Sequence, residues 1–447
     1  MYNLTIMKKK LIIKVITLSL LFTFHSSLFT LSFAQLPPPG KEIYIPEELR
    51  NNDFTNKDSQ WSYYRMAYTP NVVCFWEKGF GDDLSKAPDL DGHKMTVDID
   101  NLLGRVEYFY QVYRDMMKFT LPGSKADKYR MMVMLNYSLE GTAYGGSYDD
   151  AIGALWIAPN RVQDKKLNCI AHELGHSFQS QISCDGQNGG GGGGAVMEMC
   201  SQWQLCNVNP EWTTDENYHW EAFKKLIHLN FLNGENIYHS PYVLEYWSMK
   251  RGLTVMADIF RQARRGEDVL QAYMRMYKVS LEEEGNEMLD NYSRLITFDF
   301  PSKRNSSVRY ACEMKTDLID AGNGWLKPKD EEIPQTYGFN VDEITLPAEG
   351  KAVKVDFQAL SDKENIGYRY GLVAVDNDNN PTYLPAQSKS KNRLTWKNPG
   401  NIKKLYLVVV GCPTKEYKAE SFRRPRRGEQ GQGEEKAYYP YKIRISL

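Results

Sequence analysis

The chain has 447 residues, with 55 Lys and Arg against 56 Asp and Glu and a quarter of all residues charged. That length exceeds one ordinary domain, and 13% aromatic residues supply ample core material. A formal charge of −1 excludes the broad electropositive character that nucleic-acid binding requires.

The chain opens with a targeting signal. Lys8, Lys9, Lys10 and Lys14 precede an apolar run that ends at Ser32-Phe33-Ala34, small residues placed for cleavage before Gln35. This pattern predicts a signal peptide over residues 1–34 and a protein that is secreted, periplasmic or held at the cell surface. Removing four lysines and no acid takes the charge from −1 to −5 and leaves no integral membrane segment. There are seven cysteines and no C-x-x-C. Export permits disulfides, but an odd number leaves at least one thiol unpaired. Cys200 and Cys206 point to different faces of one expected helix and cannot bridge each other.

Residues 35–62 are Pro-rich and then polar, and read as a linker. Residues 63–300 carry strands first and helices after, an α+β layout. "NVVCFWEKGF" and "YRMMVMLNYS" read as strands, and Val97–Phe119 has the apolar spacing of a long helix. "GTAYGGSYDDAIGALWIAP" reads as a Gly-rich turn followed by a strand over Ala151–Ala158. Residues 301–337 connect to an all-β module over 338–447, whose short strands and turn residues predict a β-sandwich. "DNDNN", Asp376–Asn380, lacks the Gly and Glu of a calcium loop and reads as a hairpin turn. The Arg-rich run within Arg423–Lys436 is followed by acids and reads as a self-neutralising loop.

The chemistry concentrates in "NCIAHELGHSFQSQ", Asn168–Gln181. On a helix, His172 and His176 stand one turn apart on one face, and both can reach one metal. Glu173 lies beside the first ligand, where it can touch a water on that metal and take its proton. Glu173 is the one charged residue from Leu167 to Gln181, so this is an otherwise uncharged helix carrying three polar groups that would be costly to bury without a metal. Gly175 would let another element approach closely. Cys169 lies on the same face and reads as core.

Zinc with two histidines needs a third protein ligand. A pattern with Gly and a third His further along the helix fails, because Gln179 and Ile182 occupy those positions. Glu198 follows His176 by 22 residues, after the glycine run Gly189–Gly194, which would let a second helix return antiparallel. His219, His228 and His239 are the alternatives. Ser201 and Gln202, three and four residues past Glu198, could hydrogen-bond a ligating histidine.

These residues resemble the gluzincin type of zincin metallopeptidase, with H172-E-L-G-H176 and a Glu on the following helix. The thermolysin-like members carry a Ser-Asp pair after that Glu, where this chain has Ser201-Gln202. Over about residues 65–300 the chain is also similar to an uncharacterised group of secreted zincin-like bacterial proteins. The resemblance implies a zincin-like catalytic domain, Zn2+ held by His172, His176 and Glu198, and Glu173 as general base. It implies a protein or peptide substrate, glycoproteins included, lying along an edge strand made of Ile152, Gly153, Ala154, Leu155 and Trp156. It also calls for an oxyanion donor beyond the zinc helices. "NIYHSPYVLEYW" offers Tyr238, His239, Tyr242 and Tyr246, of which Tyr242 and His239 are our candidates. Two other readings stay open: a catalytically weak zincin-shaped binding or adhesion protein for glycans or surface proteins, and hydrolysis of a non-peptide bond by the same metal.

Overall fold

The structure, a computed structural model, describes residues 38–141, 143–187, 193–418 and 436–447. The expected signal peptide, Gly189–Gly192 and the Arg-rich loop up to residue 435 lie outside the described residues. Residues 38–447 form one mixed α+β unit. No helix among the described residues is long and apolar enough to cross a membrane.

One five-stranded sheet organises the N-terminal part. Its strands are β1 (Met66–Tyr68), β2 (Val72–Trp76), β3 (Met131–Leu135), β4 (Ala143–Tyr148) and β5 (Ile152–Ile157), in the order β1-β2-β3-β5-β4. β2, β3 and β5 run parallel, while β1 and β4 are antiparallel edges. The central strands read as continuous apolar runs because both of their faces are covered.

This order corrects one expectation. Ile152, Gly153, Ala154, Leu155 and Trp156 lie in β5, which is paired with β3 on one side and β4 on the other. A strand bonded along both sides has no free ladder to offer a substrate. The edge is β4, in the stretch that reads as a Gly-rich turn. The actual turn is at Asp149 and Asp150, both at φ 50°, the left-handed geometry of a tight hairpin.

The principal helices are α1 (Ile99–Gln111), α2 (Asn168–Cys184), α3 (Gly193–Val208), α4 (Tyr218–Leu226), α5 (Tyr242–Arg251), α6 (Val255–Gln262), α7 (Val269–Tyr277) and α8 (Leu281–Leu295). The expected long helix is α1, capped by Asp98 and continued by a π-turn over Val112–Met116. α2 buries Ile170, Leu174, Phe178 and Ile182 completely, each contributing ~1.5–3 kcal/mol by leaving water. The Phe178 ring lies 5.1 Å from Tyr110 and 5.6 Å from Tyr113, and the Tyr113 hydroxyl donates to the Ala171 carbonyl at 2.9 Å. These contacts fix α2 against α1 and its π-turn. Residues 38–62 also pack here: Arg130 donates to the carbonyls of Pro39 and Lys41, and Phe54 and Trp61 enter the core.

The C-terminal strands are β6 (Leu318–Asp320), β7 (Leu326–Pro328), β8 (Phe339–Glu343), β9 (Ala352–Ala359), β10 (Gly367–Asp376), β11 (Pro381–Tyr383), β12 (Lys391–Lys397), β13 (Ile402–Cys412) and β14 (Tyr441–Ser446). They form a four-stranded sheet, β11-β10-β13-β8, and a five-stranded one, β12-β9-β14-β7-β6. The two sheets share a buried cluster in which Phe357 stacks on Tyr370 at 4.0 Å. The Asp376–Asn380 stretch is the β10–β11 hairpin, with Asp376 Oδ1 accepting from the Asp378 and Asn380 amides. The other face of the four-stranded sheet joins the main core, where Phe339 stacks on Tyr292 of α8 at 3.9 Å. All seven cysteines are free thiols.

Candidate metal centre

α2 and α3 face each other across Gly175. A methyl built there would lie 2.9 Å from Ser201 Oγ and 3.2 Å from Ser201 Cα, so only glycine admits α3 this closely. Close approach brings three donors to one point. His172 Nε2 and His176 Nε2 are 3.2 Å apart, and each is 3.1 Å from Glu198 Oε2. Among the described residues, His172, His176 and Glu198 are the one group of three or more His, Cys, Asp or Glu whose donor atoms converge closely enough for a metal ion. The rings are about one-tenth exposed and Glu198 about one-quarter, so solvent reaches the group more through the carboxylate than through the imidazoles.

The far sides of the two imidazoles are committed. His172 Nδ1 lies 2.8 Å from Gln202 Oε1, and His176 Nδ1 lies 3.2 Å from Gln179 Oε1. Both amides have fixed orientations. Gln202 Nε2 donates to the Tyr238 carbonyl at 2.7 Å, and Gln179 Nε2 donates to the Met197 carbonyl and to Ser201 Oγ, each at 3.0 Å. An amide oxygen therefore faces each Nδ1, which must carry a proton to donate. In the neutral ring the lone pair is then on Nε2. Two nitrogen lone pairs and a carboxylate converge with no donor among them, an arrangement that a cation completes. The donor set thus fits a metal ion bound by two nitrogens and an oxygen.

Where a cation does not complete it, protons on the two Nε2 atoms, donated to Glu198, take that place. Burial acts to raise the Glu198 carboxyl, but the hydrogen bonds from His172 and His176 outweigh it and hold it well below the usual carboxylate range. Burial acts to lower His176, yet the hydrogen bond and charge of Glu198 leave it raised. Glu173 is raised, chiefly by burial, against the lowering effect of the two histidines and of the Gly145 amide. That amide, on β4, donates to Glu173 Oε2 at 2.8 Å. A methyl on Gly145 would lie 1.7 Å from the Glu173 carbonyl oxygen, so the edge strand rests directly on the backbone of α2.

The structure brings together His172, Glu173, His176, Glu198 and Gln202. Ser201 is one step removed, since it reaches His176 only through Gln179. Tyr242 is not at the centre. It is 4% exposed, its ring packs against Trp220, Phe223 and Phe298, and its hydroxyl has no hydrogen-bond partner. His239 is turned to His219, Nδ1 to Nδ1 at 2.6 Å, and neither belongs to the His172–His176–Glu198 group. Sequence reasoning missed the role of Gln179 and passed over Tyr238 in favour of Tyr242 and His239. Gln179 stands three positions beyond His176 on the same helical face, a signal that was available. Tyr238 places its ring 6.0 Å from that of His172, brought there by a loop whose path no periodicity encodes.

A search of curated proteins finds no match. Among solved structures, the chain is similar to the ZmpB metallopeptidase from Clostridium perfringens at 15% identity and a TM-score of 0.30, over 79% of this chain and 67% of that one. A second, described as "CBM4 structure and function", is 13% identical with a TM-score of 0.16, over 29% of this chain and 74% of that one. The family is shown by a match along nearly the whole chain: with residues 36–446 fitting its model, the protein belongs to DUF6055, a family of unknown function.

Proposed function

We propose that this chain is an exported zinc-dependent peptidase with a zincin-like, gluzincin-type catalytic region. The observation that carries the reading is the convergence of His172 Nε2, His176 Nε2 and Glu198 Oε2, with both Nδ1 positions already committed to amide oxygens. Zn2+ held by such a set acidifies a water and polarises a carbonyl.

The chain's own residues supply the rest. Glu173, held by the Gly145 amide, takes the proton of the attacking water and delivers it to the leaving amine. The outer edge of β4, apart from the Gly145 amide given to Glu173, offers main-chain groups for an extended peptide to pair with. Tyr238, against His172, replaces Tyr242 as the candidate donor to the developing oxyanion. A pure binding protein needs no base, and a glutamate positioned by a backbone amide beside the ligands favours catalysis.

The test uses residues 35–447, with zinc measured by elemental analysis and hydrolysis followed on casein and a peptide library. We expect about one zinc per chain, weakened in Glu198→Ala. We expect Glu173→Gln to keep the zinc and lose activity by about 10²–10⁴-fold. A zinc-loaded wild type that cleaves no peptide, or an active Glu173→Gln, would reject the peptidase.

A further inference from the structure

The outer face of the five-stranded C-terminal sheet is strongly cationic, although the chain as a whole is near neutral. Along β9, β12 and β14 the side chains alternate between the sandwich core and solvent. Val353, Val355, Phe357, Leu394, Trp396, Tyr441 and Ile443 point inward and are buried. The outward positions carry Lys354, Lys391, Arg393, Lys397, Lys442 and Arg444, and a single carboxylate, Asp356.

Asp356 organises this face. Arg393 donates to both of its oxygens, at 2.5 and 3.0 Å, and Arg444 donates to Oδ2 from Nε at 3.2 Å and from Nη2 at 2.9 Å. One carboxylate thus holds two guanidinium groups on either side of it, with Arg393 55% and Arg444 41% exposed. Trp325 steadies the next strand position, with Lys442 and Arg444 at 4.7 and 4.8 Å from its ring centre. In register, Lys391 and Lys442 flank Gln358 and Arg393 and Arg444 flank Asp356, so these cations stand about 10 Å apart across β9 and about 7 Å apart along β12 and β14. Thr395, Gln358 and Ser446 lie between them in register, adding hydroxyl and amide groups.

We propose that this face binds an anionic polysaccharide, a linear polymer whose sugars carry carboxylate or sulfate groups. Such a chain presents acid groups and hydroxyls together, matching the mixture of cations and neutral hydrogen-bonding side chains. A lipid surface would call for several apolar anchors; β9, β12 and β14 carry no large one outward, and Ile319 of β6 stands alone in the register of this face. Single-stranded nucleic acid would call for several open aromatic platforms, and the one tryptophan here is flanked by cations. The flat lattice suits an extended polymer in place of a small anion. This surface would hold the enzyme at its site of action independently of the metal centre.

The test measures retention of residues 35–447 on immobilised heparin and on polygalacturonate, which distinguish sulfate from carboxylate recognition. A short DNA duplex and phosphatidylglycerol vesicles are run beside them. We expect binding to at least one polysaccharide at low salt, released as salt rises. The Lys391→Glu/Lys442→Glu variant, which leaves the Asp356 clamp intact, should bind roughly tenfold more weakly, ~1.4 kcal/mol. Lys225→Glu, on α4 away from this face, should bind as wild type, and so should Glu173→Gln. No retention of the wild type on either polysaccharide would overturn the proposal, as would unchanged retention of the double variant. Equal binding of DNA or vesicles, lost in that same variant, would show a general polyanion surface and overturn the assignment to polysaccharide. Arg444→Gln, with folding checked by thermal melting, gives a second reading should the double variant unfold.

Discussion

Replacing Gly145 by alanine tests the core of the structural argument. The added methyl would stand 1.7 Å from the Glu173 carbonyl oxygen, 2.6 Å from its carbonyl carbon and 2.9 Å from His176 Cβ, where ordinary contacts begin near 3.4 Å. The first two of these are backbone atoms and cannot rotate away. β4 and α2 must separate by roughly 1.5 Å, which carries the Gly145 amide beyond hydrogen-bond reach of Glu173. Overpacking and the lost charge-assisted bond together should lower stability by ~2–4 kcal/mol. If the enzyme is the proposed peptidase, displacement of its base should also reduce turnover by about 10²-fold. Gly146→Ala is the control: its methyl meets only Trp156 ring carbons, at 3.3 and 3.9 Å. Urea denaturation of both variants decides the matter without reference to activity. Equal midpoints for the two would refute the close approach of β4 to α2.

Gln202→Ala frees the Nδ1 proton of His172 and should weaken zinc binding by about 10–100-fold, read by competition with a chromogenic chelator. Tyr242→Phe removes a buried hydroxyl that has no partner, so turnover should be unchanged and stability equal or slightly higher, whereas Tyr238→Phe should lower kcat. Asp342 gives a pH signature. Burial raises its carboxyl from 3.8 to about 7, although the Tyr441 hydroxyl donates to it at 2.8 Å. From about pH 4 to about pH 7 the folded chain holds a proton that the unfolded chain has released, so Asp342 makes stability fall as pH rises through that window and level off above it. Asp342→Asn should remove this slope, melting above wild type at about pH 8 and close to it near pH 4.

The parts of the site that lie on helices were legible because helical spacing is rigid. His172 and His176 one turn apart, and Glu198 with Gln202 one turn on, can be placed on faces from spacing alone. Ser201 shows the limit: its face is right, but Gln179 intervenes between it and the histidine. β4 was illegible for an opposite reason. Glycine is poor strand material in general, and here Gly145 is required by a helix that crosses the strand, a tertiary cause that leaves only a turn-like composition in the sequence. The oxyanion candidates failed likewise. Tyr238 and Tyr242 sit in one loop-to-helix segment, and which of them lies beside His172 depends on the path of that loop. Sandwich strands were legible from alternation, but β6 and β7 were not, being three residues each.

The continuous core beneath α8 has a consequence for how this protein can be divided. The Phe339 and Gln335 amides donate to the carbonyls of Ile227 and His228, and a side chain at Gly338 would collide with the His228 carbonyl at 2.0 Å. A cut placed between the helices and the sandwich would strand Tyr292 and Phe339 on opposite fragments, each with a wet aromatic face. The C-terminal sheets are therefore not a portable tag that could be grafted to other proteins or shed by a protease. Whatever pulls on the sandwich from outside is transmitted through this shared core to the helical region that carries His172, His176 and Glu198, so the two bear load as one piece.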